Sequence, residues 1–103
     1  MRRQPELRTL DVVFRSATLS GGIENLAAAA RLKVMFDKTI EYRVRLARLD
    51  IDLKDVTKAQ ALRYILDAYN LKYEEVTGDT INIVDENHKH SSTPLEEIIK
   101  KLQ

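Results

Sequence analysis

A chain of 103 residues has the size of one domain and buries roughly 60 to 65% of its unfolded surface, enough for one modest core. Lys and Arg number 17 against 16 Asp and Glu, so the formal charge of +1 supplies no general attraction for nucleic acid, anionic lipid or acidic substrates, and such binding needs a local patch. The absence of cysteine excludes disulfides, thiolate catalysis and cysteine metal sites, and no apolar run approaches the roughly 18 residues of a membrane span.

Residues 1–9 are polar, carry Pro5 and read as a flexible lead-in. Two arginines follow Met1 without an apolar stretch behind them, so this start does not read as a signal peptide. An exported protein would contain this chain as an excised piece, periplasmic in location, whereas the chain complete as given would be cytoplasmic. The first strand begins at Leu10, with Leu10, Val12 and Phe14 on one face. Thr18 is placed to cap a helix through Ile23, Leu26, Ala27 and Ala30. Ala28 and Ala29 make the opposite face of this helix small and apolar as well, which predicts that both are covered, since a helix without a polar face is usually enclosed on two sides. Gly21 and Gly22 fall in its first turn, where each costs on the order of 0.5–1 kcal/mol relative to Ala. They predict a helix start that frays or that admits a close neighbour.

A second strand spans Lys33 to Phe36 and closes at Asp37. Apolar residues then alternate as Ile40, Tyr42, Val44 and Leu46, and again one register later as Leu49, Ile51 and Leu53. This predicts two strand segments meeting at a turn or bulge around Ala47 and Arg48. Thr57 and Gln60 form a capping box for a second helix through Ala61, Leu62, Ile65, Leu66 and Tyr69. Short strands at Leu71 to Val76 and Thr80 to Val84 flank a Thr77-Gly78-Asp79 turn. Residues 85–92 read as a solvated linker. Thr93-Pro94-Leu95-Glu96 opens a helix over 93–103 whose Leu95, Ile98, Ile99 and Leu102 form one apolar stripe. A helix this short does not persist alone in water, so it packs back on its own domain, on another copy or on a partner.

The chain says the same thing twice at an offset of 39 residues: Leu10 to Thr18 is echoed by Leu49 to Thr57, and Leu32-Lys33-Val34 by Leu71-Lys72-Tyr73. The predicted class is therefore α+β, a duplicated β-α-β unit plus one extra strand (β-α-β-β-α-β-β) with a short C-terminal helix.

Val12-Val13-Phe14-Arg15, Ala17-Thr18-Leu19, Leu26-Ala27, Leu32-Lys33-Val34, Ile51 to Thr57, Ala61-Leu62, Ile65-Leu66, Leu71-Lys72-Tyr73 and Ile81-Asn82-Ile83 together resemble the short N-terminal domain shared by secretins and TonB-dependent receptors. The resemblance spans residues 10–84. It implies two helices between a two-stranded and a three-stranded sheet, so a first helix with one face open to water would argue against that arrangement. The rival for this element order is a ferredoxin-like sandwich, with helices on one face of one sheet. The resemblance implies docking to other components of a bacterial envelope machine of the type II secretion or type IV pilus class, without catalysis. The alternatives are a signalling domain that contacts a sigma-factor regulator in a TonB-dependent transducer, and a stand-alone cytoplasmic regulator or nucleic-acid binder.

Several residues carry sharper possibilities. His88 and His90 stand two apart without a third ligand nearby, so no metal or cofactor is expected. Asp50, Asp52 and Asp55 alternate with apolar residues and are expected to face solvent, and no nucleophile–histidine motif or glycine-rich phosphate loop is present. No catalytic residues are assigned. Arg43, Arg45 and Arg48 are read as the solvated face of the alternating strand, with Tyr42, Val44 and Leu46 opposite, a face available to an acidic protein partner. The partner-binding candidates are accordingly Tyr42, Arg43, Val44, Arg45 and Arg48, and the terminal stripe Leu95, Ile98, Ile99 and Leu102. A homo-oligomer through that terminal helix or an edge strand is the further expectation.

Overall fold

The computed structural model describes residues 9–102; the predicted lead-in, apart from Thr9, and the final Gln103 lie outside the described residues. The element order is β1 (Leu10–Thr18), α1 (Leu19–Ala29), β2 (Lys33–Phe36), α2 (Lys38–Leu46), β3 (Arg48–Val56), α3 (Lys58–Ala68), β4 (Leu71–Thr77), β5 (Thr80–Asp85) and α4 (Leu95–Leu102). The strands make two sheets, a two-stranded β1-β3 pair and a three-stranded sheet in the order β2-β5-β4. Helices α1 and α3 lie side by side between them: α1 touches β1, β3 and β2, and α3 touches β3 and β4. The α+β class and the two-sheet arrangement stand, with α2 as an additional helix.

The helix starts follow from their caps. Gly21 donates its amide to the Thr18 hydroxyl at 3.1 Å. In α3 the Gln60 amide donates to the Thr57 hydroxyl while the Thr57 amide donates to the Gln60 side chain, the reciprocal capping box. The core between the sheets is apolar throughout, and no polar or charged residue among those described is buried. Ile23, Leu62, Ile65, Leu49, Ile81 and Ile83 are fully covered.

The 39-residue repeat is an internal two-fold. Strands β1 and β3 pair antiparallel, with Leu10 opposite Val56 and Ala17 opposite Leu49, and with Val12 opposite Leu53 and Phe14 opposite Ile51. An offset of 39 carries one pairing into the other of each two, Leu10 to Leu49 and Ala17 to Val56, Val12 to Ile51 and Phe14 to Leu53, and Val13 pairs with Asp52, its own repeat equivalent. The axis passes through that pair. Each strand carries a bulge, and each bulge holds a residue at positive φ, Ser16 at 53° and Asp55 at 57°. A carboxylate across the pair holds each one: Ser16 donates its amide to Asp50 at 2.7 Å, and Asp55 donates its amide to Asp11 at 3.0 Å. The helix exits repeat too, with Arg31 at φ 63° and Asn70 at φ 57°. Left-handed backbone at a helix end satisfies its last carbonyls.

The glycines of α1 admit a close neighbour. A Cβ on Gly22 would stand 2.3 Å from Cδ2 of the buried Leu49, so the missing side chain lets α1 lie close on β3. The same position in the second copy is Ala61, which is fully buried.

Two expectations are corrected. Residues 40–46 form helix α2 and not a strand. Their spacing satisfies both periods, since Ile40 and Val44 are two alternating steps apart and also one helical turn apart. The helix wins because Asp37 caps it through the Thr39 amide at 3.2 Å, with Glu41 in its first turn and Arg43 and Arg45 in its last, the charge order a helix dipole favours. The predicted slip at Ala47 and Arg48 is the boundary between α2 and β3. Second, Ala28 and Ala29 are exposed. Helix α1 meets α3, α2 and both sheets, and Glu24, Asn25, Ala28 and Ala29 remain exposed on one flank. An open face on α1 therefore does not argue against the two-sheet arrangement; it belongs to the edge of a two-helix layer.

Candidate functional site

Helix α2 buries a narrow stripe and exposes the rest. Ile40 and Val44 point inward, where α2 meets α1, β1 and β5. The remaining surface brings Tyr42 (77% exposed) and Leu46 (61% exposed) together one helical turn apart. Arg43 and Arg45, between these two in sequence, are exposed and flank the pair around the helix. Arg45 also pairs with Glu41 at 3.5 Å, a surface contact worth about 0.3–0.5 kcal/mol. Arg43 has no ion-pair partner among the described residues.

Arg48 follows at the first position of β3, and it is held from two sides. Its guanidinium donates to the Ser16 carbonyl at 3.1 Å, inside the β1 bulge, and its own carbonyl accepts from the Tyr69 hydroxyl at 2.7 Å. This ties the start of β3 to both β1 and α3, and so fixes where α2 ends. At the other end Asp37 anchors the helix: hydrogen bonds from the Thr39 hydroxyl and amide hold its carboxyl below the usual carboxylate range, so the cap is charged at neutral pH.

Of the predicted partner-binding residues, Tyr42, Arg43, Arg45 and Arg48 stand on this one surface. Val44 does not: it is fully buried beside Ile40, one helical turn away, and it is Tyr42 and Leu46, its companions on one face of the strand reading, that the helix turns to the opposite side. Leu46 replaces it, a residue that the strand reading set on the covered side. The signals for the correct assignment are in the sequence, namely Asp37 ahead of Thr39, the acidic-to-basic charge order and the Ile40–Val44 spacing.

The terminal stripe is also reassigned. Leu95, Ile98 and Ile99 are buried and Leu102 is half-buried against the same core, with α4 seated on α3. The helix packs back on its own domain, so these four residues are part of its core. The segment before it is a strap along β4. Ser91 donates its amide to the Tyr73 carbonyl at 2.9 Å and its hydroxyl to Glu75 at 3.1 Å, and the Tyr73 hydroxyl donates to the Thr93 carbonyl. Arg63 closes the arrangement on Glu96 at 2.7 Å. Burial pushes the Tyr73 phenol up to about 12, with Glu96 and Glu75 adding to it. Glu75 is lowered by hydrogen bonds from Thr93 and Ser91.

Two concavities adjoin α3. An open groove of about 430 Å³ runs between the end of β3 and α3, lined by Leu53, Asp55, Val56, Gln60, Arg63, Tyr64 and Asp67. A smaller one of about 240 Å³ lies beneath the strap, beside Leu66, Leu71, Tyr73 and His90. The shifted carboxylates belong to caps, turns and the strap: Asp79, for instance, is lowered by hydrogen bonds from Thr77 and Thr80 in the β4–β5 turn. His88 and His90 are exposed on the linker, and among the described residues no three His, Cys, Asp or Glu side chains gather in metal-binding proximity. No helix among these residues is long and apolar enough to cross a membrane.

No protein-family model matches the chain, and no curated protein matches it.

Proposed function

We propose that this chain is a protein–protein docking module, of the kind its resemblance to the secretin periplasmic N-terminal domain implies, and that it works by binding without turnover. The observation that carries the reading is the solvent face of α2, where exposed Tyr42 and Leu46 are bordered by Arg43 and Arg45. Tyrosine and arginine are the side chains that most often dominate interface energetics, since each offers a large contact area together with directed hydrogen bonding. A rigid helix capped by Asp37 and anchored at Arg48 presents them with little ordering still to be done on binding. The partner suited to this face is an acidic protein segment carrying an apolar residue that meets Tyr42 and Leu46. The balanced net charge of the chain argues against a nucleic-acid role, which would draw most of its affinity from an extended basic surface.

Titration of the chain with fluorescently labelled single-stranded and duplex DNA, at about 50 and about 200 mM salt, separates the two classes. Tight DNA binding that collapses with salt overturns the docking reading. A labelled peptide of alternating glutamate and leucine is the positive probe. It is expected to bind, and Tyr42→Ala with Arg43→Glu is expected to abolish that binding while leaving the circular dichroism spectrum unchanged. Val44→Asp, by contrast, is expected to unfold the protein, because it places an unpaired charge in the core.

A further inference from the structure

The two sheets present four strand edges, and three of them are protected. Strands β1 and β3 carry bulges with left-handed residues at Ser16 and Asp55, a device that breaks the regular template an incoming strand requires. The outer edge of β4 is occupied by the chain's own strap, through the Ser91 amide on the Tyr73 carbonyl. Among the described residues the outer edge of β2 has none of these: β2 is unbulged, contains no proline, and ends the sheet order β2-β5-β4.

The groups on that edge can be assigned. Lys33 donates its amide to Asp79 at 2.7 Å and Asp37 donates to Ile83 at 2.9 Å, both on the β5 side. Backbone direction alternates along a strand, so Val34 and Phe36 turn their amides and carbonyls to the free edge. Side chains alternate as well, placing Lys33, Met35 and Asp37 on the outer face, where Met35 is 53% exposed. The edge therefore reads Lys-Val-Met-Phe-Asp, with a cation at one end, a carboxylate at the other and apolar residues between. Turned antiparallel to itself about Met35, this strand is its own complement.

We infer that two copies of this chain pair through β2, antiparallel and two-fold symmetric, joining two three-stranded sheets into one continuous sheet. Val34 of one copy then exchanges both backbone hydrogen bonds with Phe36 of the second copy, and the two-fold repeats the exchange. Lys33 meets Asp37 of the second copy, and the two Met35 side chains stack at the axis. Helix α1, which touches β2, exposes the small residues Ala28 and Ala29. Because β2 is only four residues long, the contact is reversible and depends on concentration. It uses a different surface from the solvent face of α2 and stands independently of the docking role.

The chain has no cysteine, so one introduced thiol reports cleanly. In the inferred pair the Met35 positions form a non-hydrogen-bonded cross-strand pair with Cα atoms about 4.5 Å apart, within the disulfide range of roughly 4.4–6.8 Å. Under mild oxidation Met35→Cys is expected to become a covalent dimer at least tenfold faster than Val76→Cys, a control on β4 with a similar exposure of 51%. Sedimentation of the wild-type chain is expected to shift from monomer towards dimer as concentration rises. Met35→Glu, which sets like charges at the axis, and Lys33→Glu, which faces Asp37 with its own sign, are each expected to remove that shift while keeping the wild-type circular dichroism. Equal cross-linking rates for the two cysteines overturn the inference. So does a wild-type chain that stays monomeric at every soluble concentration, or a dimer that survives both charge variants.

Discussion

Gly22→Ala isolates the contact that sets how closely α1 lies on the two-stranded sheet. In an ordinary helix position this substitution stabilises by about 1 kcal/mol, because alanine has the better helix propensity. Here the added Cβ would stand 2.3 Å from Leu49 Cδ2 and 3.9 Å from Phe14 Cδ1. Leu49 is fully buried, and interiors are close-packed, so the methyl must be accommodated by an off-rotamer leucine or a displaced helix, at about 1–3 kcal/mol. The overpacking outweighs the propensity gain over most of that range, and the expected net effect is a loss of up to about 2 kcal/mol, read as a lower urea midpoint at unchanged slope. A double-mutant cycle gives the sharper test. In a Leu49→Ala background the obstruction is gone, so the same Gly22→Ala change is expected to stabilise by about 1 kcal/mol, a coupling of roughly 1 to 3 kcal/mol between the two sites. The reasoning is refuted if Gly22→Ala stabilises the wild-type chain, or if its effect is the same in both backgrounds.

Arg31→Gly, at a helix exit with φ 63°, is expected to raise stability by about 1 kcal/mol, because glycine adopts left-handed backbone without the Cβ penalty. Asn70→Gly at the equivalent exit is expected to gain less, since asparagine tolerates that region; thermal melts of the two variants provide the comparison. Deleting Thr93 to Gln103 uncovers the α3 surface beneath Leu95, Ile98 and Ile99. The truncated chain is expected to unfold cooperatively but at a clearly lower denaturant concentration and to bind a hydrophobic dye, and an unchanged midpoint would show that α4 contributes no packing. Tyr73 is expected to titrate at about 12 in a phenolate absorbance titration. Its pKa is raised on folding, so its contribution to stability is whole below the ordinary phenol value of about 10 and is lost as pH climbs through about 12. Tyr73→Phe is expected to remove the late step from the titration.

Much of the fold was legible because its signals are local. Thr18 and Thr57 cap the helices they were expected to cap, and the 39-residue echo marks equivalent strands, bulges and helix exits. The misreading of residues 40–46 has a definite cause: apolar residues at both two-residue and four-residue spacing satisfy strand and helix alike, and the decision fell to the Asp37 cap and the charge order of the segment. The candidate site suffered with it. Four of the five residues named around α2 are exposed on its surface or at the start of β3, but Val44 is buried, and Leu46, which the strand period sets on the same face as Val44, is exposed with Tyr42. The terminal stripe was recognised as apolar, and only the packing on α3 showed that its own domain covers it.

What the sequence by itself determined is the set of elements whose causes lie within a few residues, together with the duplication that relates them. Caps, turns and alternating apolar positions act at short range, and a repeat doubles each of these signals. The tertiary structure alone decided which flank of α1 stays open, why glycine and not alanine stands opposite Leu49, which end of the sheet the strap closes and which it leaves bare. These depend on residues distant in sequence meeting in space, Gly22 with Leu49 and Tyr73 with Ser91, and no periodicity within either segment encodes such a meeting.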